Sequence, residues 1–86
     1  MSEQINPDHY KNKLIETFDA IVSQLTPIEV VGFLRGQIMK YTMRLGSKHG
    51  GTVEAKLIDA GKADWYNNKL MRYLNDNKDK LDVEKT

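Results

Sequence analysis

The sequence predicts an all-α fold: a small three-helix domain with an extended N-terminal arm. Three segments carry apolar residues at spacings of three and four, which is the pattern of amphipathic helices. No segment keeps the period-two alternation of a half-buried strand. No internal repeat divides the 86 residues, so we expect a single domain.

The N-terminal part combines a polar arm with a short helix. Residues 1–13 are polar and contain Pro7, which disfavours helical backbone angles at Asn6, so we predict that this arm is extended. The first helix is predicted over residues 14–25, and its apolar positions share one face: Leu14, Ile15, Phe18, Ile21, Val22 and Leu25.

The second helix is predicted over residues 27–45. Thr26 is a suitable N-cap, and Pro27 stands at the first helical position, where its missing N–H costs nothing. Gly46 is the C-terminal stop. At about 100° per residue, one face of this helix is apolar and is expected to form the core. It contains Val30, Val31, Leu34, Ile38, Tyr41 and Leu45.

The third helix is predicted over residues 52–76, after a loop at 48–51. Thr52 can cap its N-terminus. Residues 77–86 form a charged tail with only Leu81 and Val83 as apolar anchors. We expect this tail to fray or to continue the helix in solvent.

Composition excludes several classes of protein. A 40% apolar and 29% charged chain fits a soluble globular protein. The net charge of +1 gives no signal for a nucleic-acid partner, and the absence of cysteine excludes disulfides and thiolate chemistry. No apolar run approaches the ~20 residues that span a bilayer, and no signal peptide is visible, so we expect no membrane partner and a cytoplasmic location.

Small size predicts self-association. A domain of this length buries only about 60 to 65% of its unfolded surface on folding. Partner subunits would cover more of the apolar surface. We therefore expect a homo-oligomer.

Asp59 is the strongest physical oddity in the sequence. At about 100° per residue it falls in the middle of the apolar stripe of the third helix, within about 60° of Lys62, Ala63, Tyr66, Leu70, Tyr73 and Leu74. A buried carboxylate needs a partner, which could be Lys62, Lys40, Arg44 or a ligand group. A structural ion pair and a functional carboxylate both remain open.

Other polar and aromatic residues allow two interpretations each. On the second helix, Lys40 and Arg44 lie beside the core face, either as a solvated surface or as anion ligands. Gly36, in the interior of that helix, indicates close approach of another backbone or of a ligand. Trp65 and Tyr66 can serve as core or interface residues, or can stack on a nucleobase.

Standard signatures of chemistry are absent. The chain has no phosphate-binding loop of the Gly-x-x-x-x-Gly-Lys-Ser/Thr type, no Gly-x-Gly-x-x-Gly and no paired metal-ligand histidines, so no metal site is predicted. His9, within Asp8-His9-Tyr10, is weak evidence for acid–base chemistry. Phosphate binding would depend on isolated lysine and arginine side chains.

Five short motifs stand in the order of a known family. They are Asn6-Pro7-Asp8-His9-Tyr10, Ile15-Glu16 with Asp19-Ala20-Ile21, Gly32-Phe33-x-x-Gly36, Lys40-Tyr41-x-x-Arg44, and Asp59-x-x-Lys62-Ala63-x-Trp65-Tyr66. Over residues 5–74 the chain resembles the small phage-encoded nucleotide-kinase-like domains, sometimes called SaV-like, which are formally of unknown function. The resemblance implies a helical phage protein of the host cytoplasm, and a nucleoside monophosphate kinase activity without a conventional phosphate loop.

The resemblance also implies site residues. Asp59, Lys40 and His9 would be catalytic, and the ligand would be bound by Tyr10, Gly36, Arg44, Lys62, Trp65 and Tyr66. Asp59 would orient a lysine or accept a proton, His9 would close the site from the arm, and an aromatic ring would stack on the base. A kinase would need a nucleoside triphosphate as donor.

Two other functions use the same residues. A non-catalytic oligomer could sequester a nucleotide or a nucleotide signal, because binding needs only the cations and the aromatic rings. Alternatively, Trp65 and Tyr66 could form a protein interface that inhibits a host enzyme.

Overall fold

The structure, a computed structural model, describes the backbone of residues 7–82 and the side chains of residues 15–82. Helix α1 spans Pro7–Val22, α2 spans Pro27–Arg44, α3 spans Val53–Asp76, and a short α4 spans Lys78–Leu81. A 3-10 turn at Ser47–His49 lies between α2 and α3. No strand occurs within residues 7–82, so the all-α prediction is confirmed for the described chain.

Helix α1 begins earlier than the sequence predicted. Its first residue is Pro7, so the predicted extended arm is wrong for residues 7–13, and residues 1–6 lie outside the described part. The physical reason is that proline suits the first turn of a helix, where an N–H would have no intrahelical acceptor. The helix also ends at Val22 instead of residue 25, and beyond it the Ser23 hydroxyl donates to the Ala20 carbonyl at 2.7 Å.

Both ends of α2 follow the prediction. The Thr26 hydroxyl accepts a hydrogen bond from the Glu29 N–H at 3.4 Å, and the Glu29 carboxylate accepts one from the Thr26 N–H at 2.9 Å, which completes a capping box. Pro27 follows at the first helical position. The helix ends at Arg44, and the chain turns through left-handed angles at Leu45 and Gly46.

Helix α3 also agrees with the sequence. The Thr52 hydroxyl accepts a hydrogen bond from the Ala55 N–H at 3.1 Å, and the helix ends at Asp76. The predicted tail is partly ordered, because Lys78–Leu81 form one further turn of helix. Residues 83–86 lie outside the described part.

The core lies between α2 and α3, which run antiparallel: Arg44 at the end of α2 meets Asp59 near the start of α3, and Phe33 meets Tyr66 further along. Val30, Leu34 and Tyr66 are buried at its centre. Helix α1 adds to this core from one side through Phe18 and Val22. Other partly buried residues complete it: Leu25, Phe33, Ile38, Tyr41, Trp65, Leu70 and Tyr73.

Three residues predicted on the apolar faces of the helices are exposed, and one of them is Ile15 of α1, at 41%. Leu45 is 40% exposed because it lies past the last helical residue, in the left-handed turn, where the helical phase no longer applies. Leu74 is also 40% exposed, near the end of α3. None of the helices in the described part combines the length and the apolarity that a membrane crossing requires.

Candidate cationic site at the end of helix α2

The Arg44 guanidinium and the Asp59 carboxylate form a bidentate pair. Nε of Arg44 donates to Oδ2 of Asp59 at 3.1 Å, and Nη2 donates to Oδ1 at 2.8 Å. The Asp59 side chain is fully buried, whereas Arg44 keeps 19% of its side-chain surface exposed. The predicted position of Asp59 within the buried stripe is therefore confirmed, and the partner among the candidates is Arg44.

The turn after α2 supplies a third donor to this carboxylate. The Gly46 N–H donates to Oδ2 of Asp59 at 2.6 Å. Glycine is required here for two reasons: its φ is +81°, and a Cβ would lie 2.8 Å from the backbone nitrogen of Lys56. The residue predicted as a simple helix stop thus also holds Asp59, and with it α3, against the end of α2.

These donors set the ionisation of Asp59. The hydrogen bonds from Arg44 and from the Gly46 N–H, together with the positive charges of Arg44 and Lys62, lower the pKa of Asp59 to about 2, although burial alone would raise it. Asp59 is therefore a carboxylate at neutral pH and a poor proton acceptor. Of the two roles predicted for Asp59, orienting a cation agrees with this geometry, although the cation is an arginine and not a lysine. Its part in a functional site stays a prediction.

Three cationic side chains surround the ring of Tyr41. Its centroid lies 4.8 Å from Nζ of Lys40, 5.0 Å from Cζ of Arg44 and 5.4 Å from Nζ of Lys62. Lys40 and Arg44 come from α2, whereas Lys62 comes from α3. We call Lys40, Tyr41, Arg44 and Lys62 the cationic cluster. The structure thus brings together all three cations that the sequence singled out, which cation–π attraction favours.

An aromatic layer supports the cluster from inside. Tyr41 stacks on Tyr66, with ring centroids 5.9 Å apart and planes 12° apart. Trp65 and Phe33 each meet Tyr66 edge to face, at 5.0 Å and 6.4 Å. Tyr66 is only 8% exposed, so its ring is core and is not available to stack on a nucleobase or to form a protein interface.

Trp65 keeps partial exposure, but it also packs inside the protein. Its ring meets Phe18 of α1 edge to face at 6.0 Å, and Nζ of Lys69 lies 5.1 Å from its centroid. Trp65 therefore anchors α1 to α3. Lys69 lies seven residues after Lys62 in α3, and its contact with Trp65 is a second contact between a cation and an aromatic ring.

Within the part of the chain that the structure describes, Gly36 has no neighbour that explains it. A Cβ at this position would meet nothing within 4 Å, and the residue is exposed. Packing of another element of this chain against Gly36 is thus not seen among the described residues. The interpretation that it allows approach of a ligand stays a prediction.

The remaining predicted site residues are His9 and Tyr10. Their backbone lies in α1, but their side chains lie outside the described residues, so their proposed roles stay predictions. Within the side chains that the structure describes, no group of three or more histidine, aspartate or glutamate residues could hold a metal ion.

Sequence reasoning missed two residues of this site. The sequence places Tyr41 on the core face and within a motif but does not single it out as a site residue, although its ring is the common contact of the three cations. Its position next to a lysine and three residues before an arginine was the available signal. The Gly46 N–H could not have been found, because the sequence does not reveal which carboxylate a backbone N–H meets.

Comparison with known proteins identifies the family. A model of the DUF3310 family, described as proteins of unknown function, matches residues 5–68, so the chain belongs to that family. No curated protein and no solved structure matches the chain.

Proposed function

We propose that this DUF3310 protein binds the phosphate groups of a nucleotide at the cationic cluster. The observation that carries the proposal is the meeting of Lys40, Arg44 and Lys62 around one ring. Asp59, the carboxylate paired with Arg44, has its oxygens occupied by Arg44 and by the Gly46 N–H. Among these described side chains, three are positive and one is negative, and this balance favours an anion as ligand.

The chemistry of the three cations suits phosphate. Arginine offers a planar set of donors that matches phosphate oxygens, and lysine acts as a mobile point charge. Asp59 fixes the plane of the Arg44 guanidinium through two hydrogen bonds. Because the arginine is already ordered, little side-chain entropy is lost when a phosphate arrives.

Recognition of the base is assigned to Trp65, whose ring is partly exposed. Tyr66 is buried, and the ring of Tyr41 is already covered by Tyr66 and by the three cations. Stacking of a base on an aromatic ring contributes about 1 to 3 kcal/mol, and every base has a face that can stack. Gly36 lies one helical turn before Lys40 and leaves room for a ligand at the edge of the cluster.

Transfer of a phosphoryl group is the more specific form of this proposal. It rests on the resemblance to phage nucleotide-kinase-like domains, together with the principle that such transfer depends mainly on positioning and on electrostatic stabilisation. In this scheme the cations neutralise the phosphates of a nucleoside monophosphate and of a triphosphate donor in the host cytoplasm. Asp59 positions Arg44 and does not take up a proton.

A second candidate is binding without chemistry, in which the protein sequesters a nucleotide or a nucleotide signal. The observation that favours it is the state of Asp59, whose low pKa and three hydrogen bonds leave no described carboxylate in the cluster to act as a base. Binding needs only the cations and the rings.

A thermal-shift screen of mono-, di-, tri- and cyclic nucleotides tests the proposal, followed by product analysis for every compound that binds. We expect at least one phosphorylated nucleotide to raise the melting temperature, and its unphosphorylated nucleoside to have a smaller effect. Formation of a nucleoside diphosphate from the monophosphate and ATP supports the kinase form. Binding without product supports sequestration, and no binding by any nucleotide contradicts both.

A further inference from the structure

Helix α2 carries a second apolar face, directed away from the core. Ile28 is 67% exposed, Met39 is 52% exposed and Met43 is 81% exposed. At about 100° per residue these three side chains and Gly32 lie within an arc of about 60°, roughly opposite the buried Val30 and Leu34. We call Ile28, Gly32, Met39 and Met43 the outer stripe.

A helix that is apolar on two opposite faces is normally covered on both. Only the inner face of α2 is covered within the described chain. Gly32 adds a separate observation, because a Cβ there would meet nothing within 4 Å although the residue lies in the interior of an exposed helix. A gap between two large apolar side chains is a hole that a side chain of a neighbouring helix can fill.

We propose that the outer stripe is a homodimer interface in which α2 packs antiparallel on α2 of a second copy, about a two-fold axis near Arg35 and Gly36. In that register the numbers of two facing residues, one from each copy, add up to about 71. Ile28 then faces the partner's Met43, and Gly32 faces the partner's Met39. Met39 thus enters the space above the partner's Gly32, and Met43 packs on the partner's Ile28, so the stripe is complementary to itself.

Charge supports the same register. Glu29 and Lys40 lie along one edge of the stripe. In an antiparallel pair the same edges of the two helices face each other, so each Glu29 comes close to the partner's Lys40. The two residues are offset by about 3 Å along the helix axis. On the other edge, Arg35 approaches the partner's Arg35, which opposes association.

The dimer is expected to be weak. The stripe extends over the 16 residues from Ile28 to Met43, or about 22 Å, and a single helix pair of that length is smaller than a standard interface of about 800 Å² per partner. Association should therefore depend on concentration in the micromolar range. This inference rests on other observations than the nucleotide proposal, but the interface shares Lys40 and Gly36 with that site, so its test is carried out without nucleotide.

Sedimentation equilibrium of the full chain, from about 10 μM to several hundred μM, tests the interface. We expect the wild-type mass to rise from the monomer value of 9.9 kDa toward twice that value. Gly32→Gln fills the hole and should raise the dimer dissociation constant at least tenfold. Because no described atom of the monomer lies within 4 Å of a Cβ at Gly32, and glutamine is the better helix former, the melting temperature should not fall.

Two further variants make the test specific. Gly61→Gln places the same side chain at an exposed, equally open position of α3, and should leave association unchanged. Arg35→Gln removes the repulsion at the two-fold axis and should tighten the dimer. A wild-type protein that stays monomeric throughout, a Gly32→Gln protein that associates like the wild type, or an Arg35→Gln protein that does not associate more tightly would overturn the proposal.

Discussion

Arg44 and Asp59 lie 15 residues apart and join the last turn of α2 to the second turn of α3 through two side-chain hydrogen bonds, of 2.8 Å and 3.1 Å. The same guanidinium lies 5.0 Å from the centroid of Tyr41, so a single arginine belongs both to the structural pair and to the cationic cluster. Arg44 therefore contributes both to the stability of the fold and to the candidate site. A change at Asp59 should affect the fold and, through Arg44, the cluster.

Asp59→Asn should lower the melting temperature at neutral pH and remove part of the pH dependence of stability. The folded pKa of about 2 lies below the ordinary value of 3.8, so ionised Asp59 stabilises the folded state above about pH 4. That stabilisation is lost as the pH falls from about 4 through 2. The measurement is the melting temperature of both proteins between pH 2 and 8.

The difference between wild type and Asp59→Asn isolates this group from the other carboxylates of the chain. It should be largest at neutral pH and should shrink toward pH 2. A difference that stays constant across this range would contradict the assignment of the low pKa to Asp59.

Gly46→Ala should destabilise the protein more than Gly50→Ala does. Both glycines have positive φ angles, of 81° and 92°, and the left-handed conformation alone costs an alanine about 1 to 2 kcal/mol. At Gly46 a Cβ would also lie 2.8 Å from the Lys56 nitrogen, whereas at Gly50 nothing lies within 4 Å. Chemical denaturation of the two variants measures the difference, and equal free energies of unfolding would show that the contact at Gly46 is unimportant.

Gly36→Ala should stabilise the free protein and weaken its binding of nucleotide. Alanine in a helix interior is favoured over glycine by about 1 kcal/mol, and no atom of the described chain obstructs the added methyl group. Gly61→Ala, at an equally open position, provides the control for helix propensity. Both variants should melt higher than the wild type, but only Gly36→Ala should bind nucleotide more weakly. Unchanged nucleotide affinity in Gly36→Ala would remove Gly36 from the site.

The sequence predicted the helices well where local signals decide, and less well where they do not. The starts of α2 and α3 were predicted from Thr26, Pro27 and Thr52, because caps and first-turn prolines act on neighbouring backbone groups. Pro7 carried the same signal but was assigned to an arm, so the start of α1 was placed seven residues late.

The candidate site was predictable in part. Helical periodicity placed Asp59 in the buried stripe, because the phase of a helix is a local property. The choice of Arg44 over Lys40 and Lys62 as its partner was not predictable, since it depends on how α2 and α3 pack and on the turn at Gly46. The sequence left Tyr66 with two interpretations, core and ligand stacking, for the same reason: its burial depends on three neighbouring rings.

Calorimetric titration of the nucleotide that gives the largest thermal shift, into wild-type protein and three lysine variants, tests the cationic cluster most directly. Lys80→Gln is the control, because Lys80 is an exposed lysine of α4, past the C-terminal end of α3 and 18 residues from Lys62. Lys40→Gln and Lys62→Gln should each weaken binding about tenfold, the effect of losing about 1.4 kcal/mol, while Lys80→Gln binds like the wild type. Equal affinities in all four proteins, or an equal loss in all three variants, would contradict a phosphate site at Lys40, Arg44 and Lys62.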